Sequence, residues 1–244
     1  MNEKLIEMLK YLRLPGLLEN WNDYLATADK GNYSHTRLLK HIINIEYDIK
    51  KENSRKMRIN RAKIPEKYVI ETFPFTKQPK LSRKKIINIY DSDYILNNQN
   101  IIWVGSTGTG KTGLATSFLM QAINQGYKGR FISFPDLVEL LYKSVADHSE
   151  AKMIRMFENY DCLLIDELGY VEVETVQVGL FFTLMQKRHR KKTTLITSNL
   201  GFSQWTSFLK NDHLTAALID RLTENSHVIN MKNCTSLRPK LSLK

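Results

Sequence analysis

The residues best suited to chemistry lie in two short stretches. GSTGTGKT, Gly105 to Thr112, fits the pattern G-x-x-x-x-G-K-[S/T]. Gly105, Gly108 and Gly110 let such a backbone curl, and its N–H groups, those of Ser106, Thr107 and Thr109 included, turn inward toward phosphate oxygens. Lys111 is spaced to reach the β and γ phosphates, and the Thr112 hydroxyl to bind magnesium. CLLIDE, Cys162 to Glu167, sets four apolar residues before two carboxylates. A buried strand there would deliver Asp166 and Glu167 at its C-terminal tip, the edge of an open α/β sheet where ligands bind. Asp166 suits magnesium, held directly or through water. Glu167 suits accepting a proton from an attacking water. A solvated acidic turn is the bland reading of Asp-Glu, and the phosphate loop upstream argues against it. The pair points to hydrolysis of a nucleoside triphosphate rather than transfer to a small acceptor. No N-K-x-D guanine motif occurs.

Two further polar positions are open to more than one reading. TTLITSN ends in Asn199, which either touches the γ-phosphate or attacking water or simply starts a turn. ALIDRLTEN carries Arg221, either a surface arginine paired with Glu224 at i+3 or a finger offered to a neighbour's γ-phosphate. In other NTPases such a finger contributes about 10³–10⁵ in rate.

Positioning these groups requires strands that alternate with helices. Strands are predicted at 101–104, 130–134, 162–165, 193–197 and 228–231. Helices are predicted at 111–124, 136–146, 149–159 and 174–190, with more to about 223. That alternation argues a parallel sheet covered on both faces by helices. The N-terminal part reads differently. Short helices at 3–12 and 17–29 flank Pro15-Gly16, read as a turn. A longer helix starts near Ser34, with Leu38, Ile42, Ile45 and Ile49 on one stripe. It continues into KKENSRKMRINRAK with a basic, solvated face. Pro65, Pro74 and Pro79 punctuate a connector, so a helical domain is placed at 1–66 and the α/β domain at 67–244, with 67–85 as a basic linker.

Charge is concentrated in the same region. The chain of 244 residues has formal net charge +11, and Lys50–Lys85 holds 13 basic and 3 acidic residues. That excess favours a polyanionic partner, nucleic acid before membrane. Lys50, Lys51, Arg55, Lys56, Arg58, Arg61 and Lys63 are the candidate DNA contacts, largely independent of base sequence. Tyr68, Phe73 and Phe75 are read as packing the connector rather than stacking bases. Two cysteines 72 residues apart, Cys162 and Cys234, make neither a disulfide framework nor a metal spacing. With no secretory h-region and no membrane-length apolar run, a cytoplasmic location is expected. The six histidines are scattered, without zinc-like spacing.

Taken in order, these elements resemble the AAA+ ATPases of the initiator and loader group. They are most similar to the IstB-like ATP-binding helper proteins of bacterial insertion sequences, relatives of the helicase loader DnaC. The resemblance covers nearly the whole chain. LKYLRLPGLLENW and RAKIPEKYVIETFPF match the helical domain and connector, GSTGTGKT the Walker A, and CLLIDELGY the Walker B. TLITSNLGFSQW matches sensor 1, and ALIDRL the finger helix. NCTSLRPK matches a sensor-2 segment in which Arg238 would contact phosphate, although Asn233 and Leu237 replace its usual Gly and Tyr. Gly113 stands where the family usually has His. The resemblance implies an ATPase using ATP and Mg2+, oligomeric on DNA with Arg221 acting in trans, that assists a transposase in selecting target DNA. A DnaC-like helicase loader, a DNA-binding scaffold with an inactive ATPase and a P-loop metabolic kinase are the alternatives.

Overall fold

The computed structural model describes residues 1–238. The chain divides into two compact units, Met1–Met57 and Arg58–Lys244. The sequence had placed the boundary at residue 66. The division falls earlier because Ile59 and Ala62, in the last turns of the long helix, join the core of the second unit.

The N-terminal unit is helical: α1 (Glu3–Tyr11), α2 (Pro15–Lys30) and most of α3 (His35–Ala62). Pro15-Gly16 is the first turn of α2 rather than the predicted loop, because proline at the first helical position gives up only an N–H that has no partner there. Leu14, the N-cap of α2, has no side chain to cap with. The buried Glu46 carboxylate of α3 takes over, accepting the Leu17 N–H at 2.6 Å. Gly16 allows this approach, since a Cβ there would lie 2.8 Å from Ile49 Cδ1. Leu38, Ile42, Ile45 and Ile49 are all half-buried, as one stripe should be.

The second unit contains α4 (Arg83–Tyr90), β1 (Asn100–Val104), α5 (Lys111–Asn124), β2 (Gly129–Ser133), α6 (Phe134–Ala146) and α7 (Glu150–Glu158). It continues with β3 (Cys162–Leu168), α8 (Thr175–Arg188), β4 (Thr193–Ser198), α9 (Trp205–Leu209), α10 (Asp212–Thr223) and β5 (Ser226–Asn230). The predicted linker at 67–85 thus holds two short 3-10 turns and the start of α4, capped by Ser82. The five strands form one parallel sheet in the order β2-β3-β4-β1-β5. Alternate residues feed opposite faces. Ile102, Val104, Leu163, Ile165 and Ile196 pack under α6 to α10, whereas Ile101, Trp103, Leu164 and Leu195 pack under α4 and α5.

Arg188, a cation in the last turn of α8, is 1 % exposed. Its guanidinium donates to the carbonyls of Phe157, Tyr160 and Thr193 and to the Thr194 hydroxyl. Five donors in a planar fork satisfy the end of α7 and the start of β4 together.

Candidate functional site

The strand order brings the predicted chemistry together. β4 lies between β1 and β3, so the ends carrying the phosphate loop, Ser198-Asn199 and Asp166-Glu167 are neighbours at one edge of the sheet. They border a cavity of about 480 Å³ lined by Thr107, Gly108, Gly110, Lys111, Thr112, Glu167, Asn199 and Arg238 among others.

The loop itself is shaped by backbone that only glycine adopts freely. Gly108 and Gly110 have φ of +82° and +95°. A Cβ on Gly110 would also meet Phe73 Cε2 at 2.7 Å. Gly105 donates its N–H to Ser198 O at 3.0 Å, tying the loop to β4. The Thr109 hydroxyl closes back on Ser106 O, Ser106 Oγ reaches Lys232 O, and Thr107 Oγ1 lies 3.2 Å from the Tyr170 hydroxyl. Lys111 Nζ donates to Gly105 O and Ser106 O at 2.7 and 2.9 Å. Burial lowers the Lys111 pKa and the nearby Arg238 adds to the fall, while Asp166 and Glu167 oppose it. An ammonium so placed favours an anion in the cavity.

Asp166 is buried behind Thr112, whose hydroxyl donates to its Oδ1 and Oδ2 at 3.0 and 3.2 Å. Thr197 also donates to Oδ1. Burial raises the Asp166 pKa, and the hydrogen bonds from Thr197 and Thr112 and the charge of Lys111 pull it back. A hydroxyl and a carboxylate converging on one point are hard oxygen donors of the kind magnesium takes. Glu167 is exposed and has φ of +61°, left-handed backbone for a non-glycine residue. Asn199 Oδ1 is buried without a hydrogen-bond partner among the described residues. An orphaned acceptor on a cavity wall is the kind of group a ligand or water satisfies.

Arg221 does not line this cavity. Its Nη1 donates to Ala217 O at 2.9 Å and its guanidinium lies 4.8 Å from the Phe182 ring centroid. Glu224, the partner in the surface reading, is held instead by His189 at 3.0 Å and by Arg190, just past the end of α8. Arg238 does line the cavity, on a strap that crosses the loop where the Leu237 N–H donates to Gly108 O at 2.8 Å. The matched sensor-2 residues Pro239 and Lys240 lie outside the described residues.

The candidate DNA contacts are not equivalent. Lys50, Lys51, Lys56, Arg61 and Lys63 are exposed. Arg55 pairs with Glu52 at 2.7 Å, and Arg58 donates to Ile123 O at the end of α5. No group of three or more His, Cys, Asp or Glu that could hold a metal occurs among the described residues.

Two contributors, Gln78 and Thr197, escaped sequence reasoning, and two more take a place it did not give them. Gln78, fully buried, donates from Nε2 to Thr109 O and Thr235 O and accepts the Thr235 N–H, clipping connector, loop and strap together. Tyr68 and Phe73 form an aromatic wall of the cavity, whereas the sequence reading had them packing the connector alone. The Tyr68 ring lies 3.6 Å from where a Gly113 Cβ would stand, in the space beside the position usually filled by His. Thr197 was passed over inside an apolar strand; its place two residues before Asn199, on the same face, was the available signal.

Comparison with known proteins bears on the family and the fold. The model of the family described as IstB-like ATP binding protein matches residues 7–244. The chain is 32 % identical over 232 residues to a Geobacillus stearothermophilus relative named as an ATP-binding protein of insertion sequence IS5376, covering 95 % of this chain and 92 % of the relative. It is 26 % identical to the corresponding Pseudomonas aeruginosa protein of IS21, covering 92 % and 85 %. In fold it is similar to the DnaC helicase loader, with a TM-score of 0.54, 22 % identity and coverage of 61 % of this chain and 87 % of that one. It is also similar to AMPPCP-bound DnaA from Aquifex aeolicus, with a TM-score of 0.57, 20 % identity and coverage of 71 % and 53 %. The fold is therefore that of the AAA+ P-loop domain, and the chain belongs to the family of IstB-like ATP binding proteins.

Proposed function

We propose that this protein is a DNA-dependent ATPase that assembles on DNA and assists a transposase in engaging its target. The observation that carries this reading is the convergence of Lys111, Thr112, Glu167 and Asn199 on one cavity, with Asp166 hydrogen-bonded behind Thr112. In this reading Lys111 leaves the loop carbonyls and neutralises the β- and γ-phosphate oxygens. The aromatic wall of Tyr68 and Phe73 receives the base. Thr112 and Asp166 would hold magnesium, which would offset charge on the phosphates. Glu167 accepts a proton from water as that water's oxygen bonds to the γ-phosphorus. The bond from the γ-phosphorus to the bridging oxygen breaks, and its electron pair leaves with ADP. Asn199 orients the water through its orphaned Oδ1.

Arg221 belongs to a neighbour's site. Arg221 does not line its own cavity, as an arginine acting in trans would not, and in this reading the active form is an oligomer. The exposed cations of α3 give the DNA contact, chiefly to phosphates. A helicase-loading role is the second reading, supported by the likeness in fold to the DnaC helicase loader. The charge of Lys50–Lys85 favours DNA over a protein grip at this segment. The test is ATP hydrolysis with and without duplex DNA at two salt concentrations, alongside a mixture of Arg221→Ala and Lys111→Ala. Expected are salt-sensitive stimulation by DNA and activity in the mixture that neither variant has alone. Hydrolysis indifferent to DNA and to Arg221→Ala would refute the assembly on DNA.

A further inference from the structure

The β3 strand departs from regular pairing where the chemistry lies. Ile165 pairs with Ile196 and Leu168 with Ser198, so Asp166 and Glu167 together face the single residue Thr197. Two residues against one is the count of a β-bulge, which bends its strand and re-aims a side chain. Here the bulge has two local costs. Glu167 takes a left-handed φ of +61°, a conformation that costs an ordinary residue about 1–3 kcal/mol. Glu167 also has no paired residue on β4, so its part-buried N–H needs a partner from elsewhere.

One side chain answers both. The Glu167 N–H donates to Thr197 Oγ1 at 3.0 Å. The same hydroxyl donates to Asp166 Oδ1. A hydroxyl has one proton and two lone pairs. A backbone N–H can only donate, so the Thr197 oxygen must accept from Glu167, and its proton is then directed at the carboxylate. The residue is 1 % exposed, which keeps water from competing for either bond. Its β-branched side chain on a strand has little χ1 freedom, so the oxygen is held in place by its own backbone.

We propose that Thr197 is a positioning residue for ATP hydrolysis: its single hydroxyl locks the bulge, holding the Glu167 backbone left-handed so that the Glu167 carboxylate faces the attacking water, while fixing the orientation of Asp166. The proposal rests on the reading of the protein as an ATPase. It distinguishes Thr197 from a residue that merely fills the strand, because valine has the same shape without the hydroxyl.

The experiment compares wild type with Thr197→Val, Thr197→Ser and Thr197→Cys, measuring kcat and KM for ATP, binding of a fluorescent ATP analogue, and Tm. Displacing a catalytic group by about 1 Å can cost about 10²-fold, so Thr197→Val should lose about that in kcat while analogue affinity stays within about threefold. Thr197→Ser should recover most of the loss. Thr197→Cys, a weak donor of similar shape, should fall between, and it gives the reading if the valine variant does not fold. A double-mutant cycle adds Glu167→Gln: a residue acting through Glu167 should cost little more once Glu167 is disabled. Thr197→Val turning over as fast as wild type, or losing activity additively with Glu167→Gln, would overturn the positioning role alone. Wild type that binds ATP without turning it over would overturn the ATPase reading, and the positioning role with it.

Discussion

Replacing Arg188 with methionine tests how the frame of the site is held. Two large terms oppose each other. The guanidinium makes four good hydrogen bonds, to Phe157 O, Tyr160 O, Thr193 O and Thr194 Oγ1. Hydrogen bonds to a charged group contribute about 1.5–3 kcal/mol each, so the set contributes at least about 6 kcal/mol. Against this stands the burial of a cation. Desolvation pushes the Arg188 pKa down from 12.5 to about 10. Net of the opposing attraction of nearby groups, a fall of that size is on the order of 3 kcal/mol against keeping the charge inside. The hydrogen bonds win, and Arg188→Met should destabilise the protein by about 3 kcal/mol, consistent with what breaking a buried charged network costs. In a domain of this size each kcal/mol moves Tm by about 2–4 °C, so a drop of about 6–12 °C is expected in a thermal melt. Denaturant unfolding should show the midpoint move with m unchanged. Arg188→Lys should lose most of the same stability, because an ammonium cannot reach four acceptors in one plane. A Tm within about 2 °C of wild type for Arg188→Met would refute the reasoning, since the carbonyls would then have found other partners at no cost.

Other outcomes follow from the same contacts. Burial pushes the Cys162 thiol up to about 12, while Cys234 is only part-buried, so a thiol reagent at pH 8 should label Cys234 and leave Cys162 untouched until the protein unfolds, as mass spectrometry would read. Stacking of a base on an aromatic ring is worth about 1–3 kcal/mol, so Tyr68→Ala should raise KM for ATP about tenfold with kcat retained, and Tyr68→Phe should change little; a fall in kcat alone would remove Tyr68 from the base site. For DNA, each phosphate contact adds about 0.9 to the slope of log K against log salt. Lys50→Gln with Lys51→Gln should therefore reduce that slope by nearly 2 in an anisotropy titration, and an unchanged slope would exclude these lysines from the contact.

The parts of the site legible in the sequence are those whose geometry is set within a few residues. A glycine-rich turn between an apolar strand and a helix makes its own anion cradle, so Gly105 to Thr112 announce their place without the rest of the fold. An apolar strand ending in Asp166-Glu167 points its tip the same way, as does the strand ending at Asn199. Helix limits inside the α/β unit were readable for the same reason: α5 spans Lys111–Asn124 as its flanking glycines imply. Pro15-Gly16 misled because the same dipeptide serves a turn and a helix start, and only the Glu46 carboxylate, far along the chain, selects the second.

What tertiary structure alone decided is every relation between distant residues. No local pattern says that β4 lies between β1 and β3, and on that order depends whether Asn199 meets the phosphate loop and Glu167 at all. Charge patterns in sequence carry no depth, so no local signal says that Arg188 is buried where it ties the end of α7 to the start of β4. Gln78 acquires its role from Thr109 and Thr235, the latter 157 residues away, and Thr197 from a bulge on a neighbouring strand. The amino-acid sequence by itself determined which groups could do the chemistry, because a cradle or a carboxylate tip is made by adjacent residues. The tertiary structure decided which of them meet and how each is aimed, because hydrogen bonds act over about 3 Å in space and carry no memory of separation along the chain.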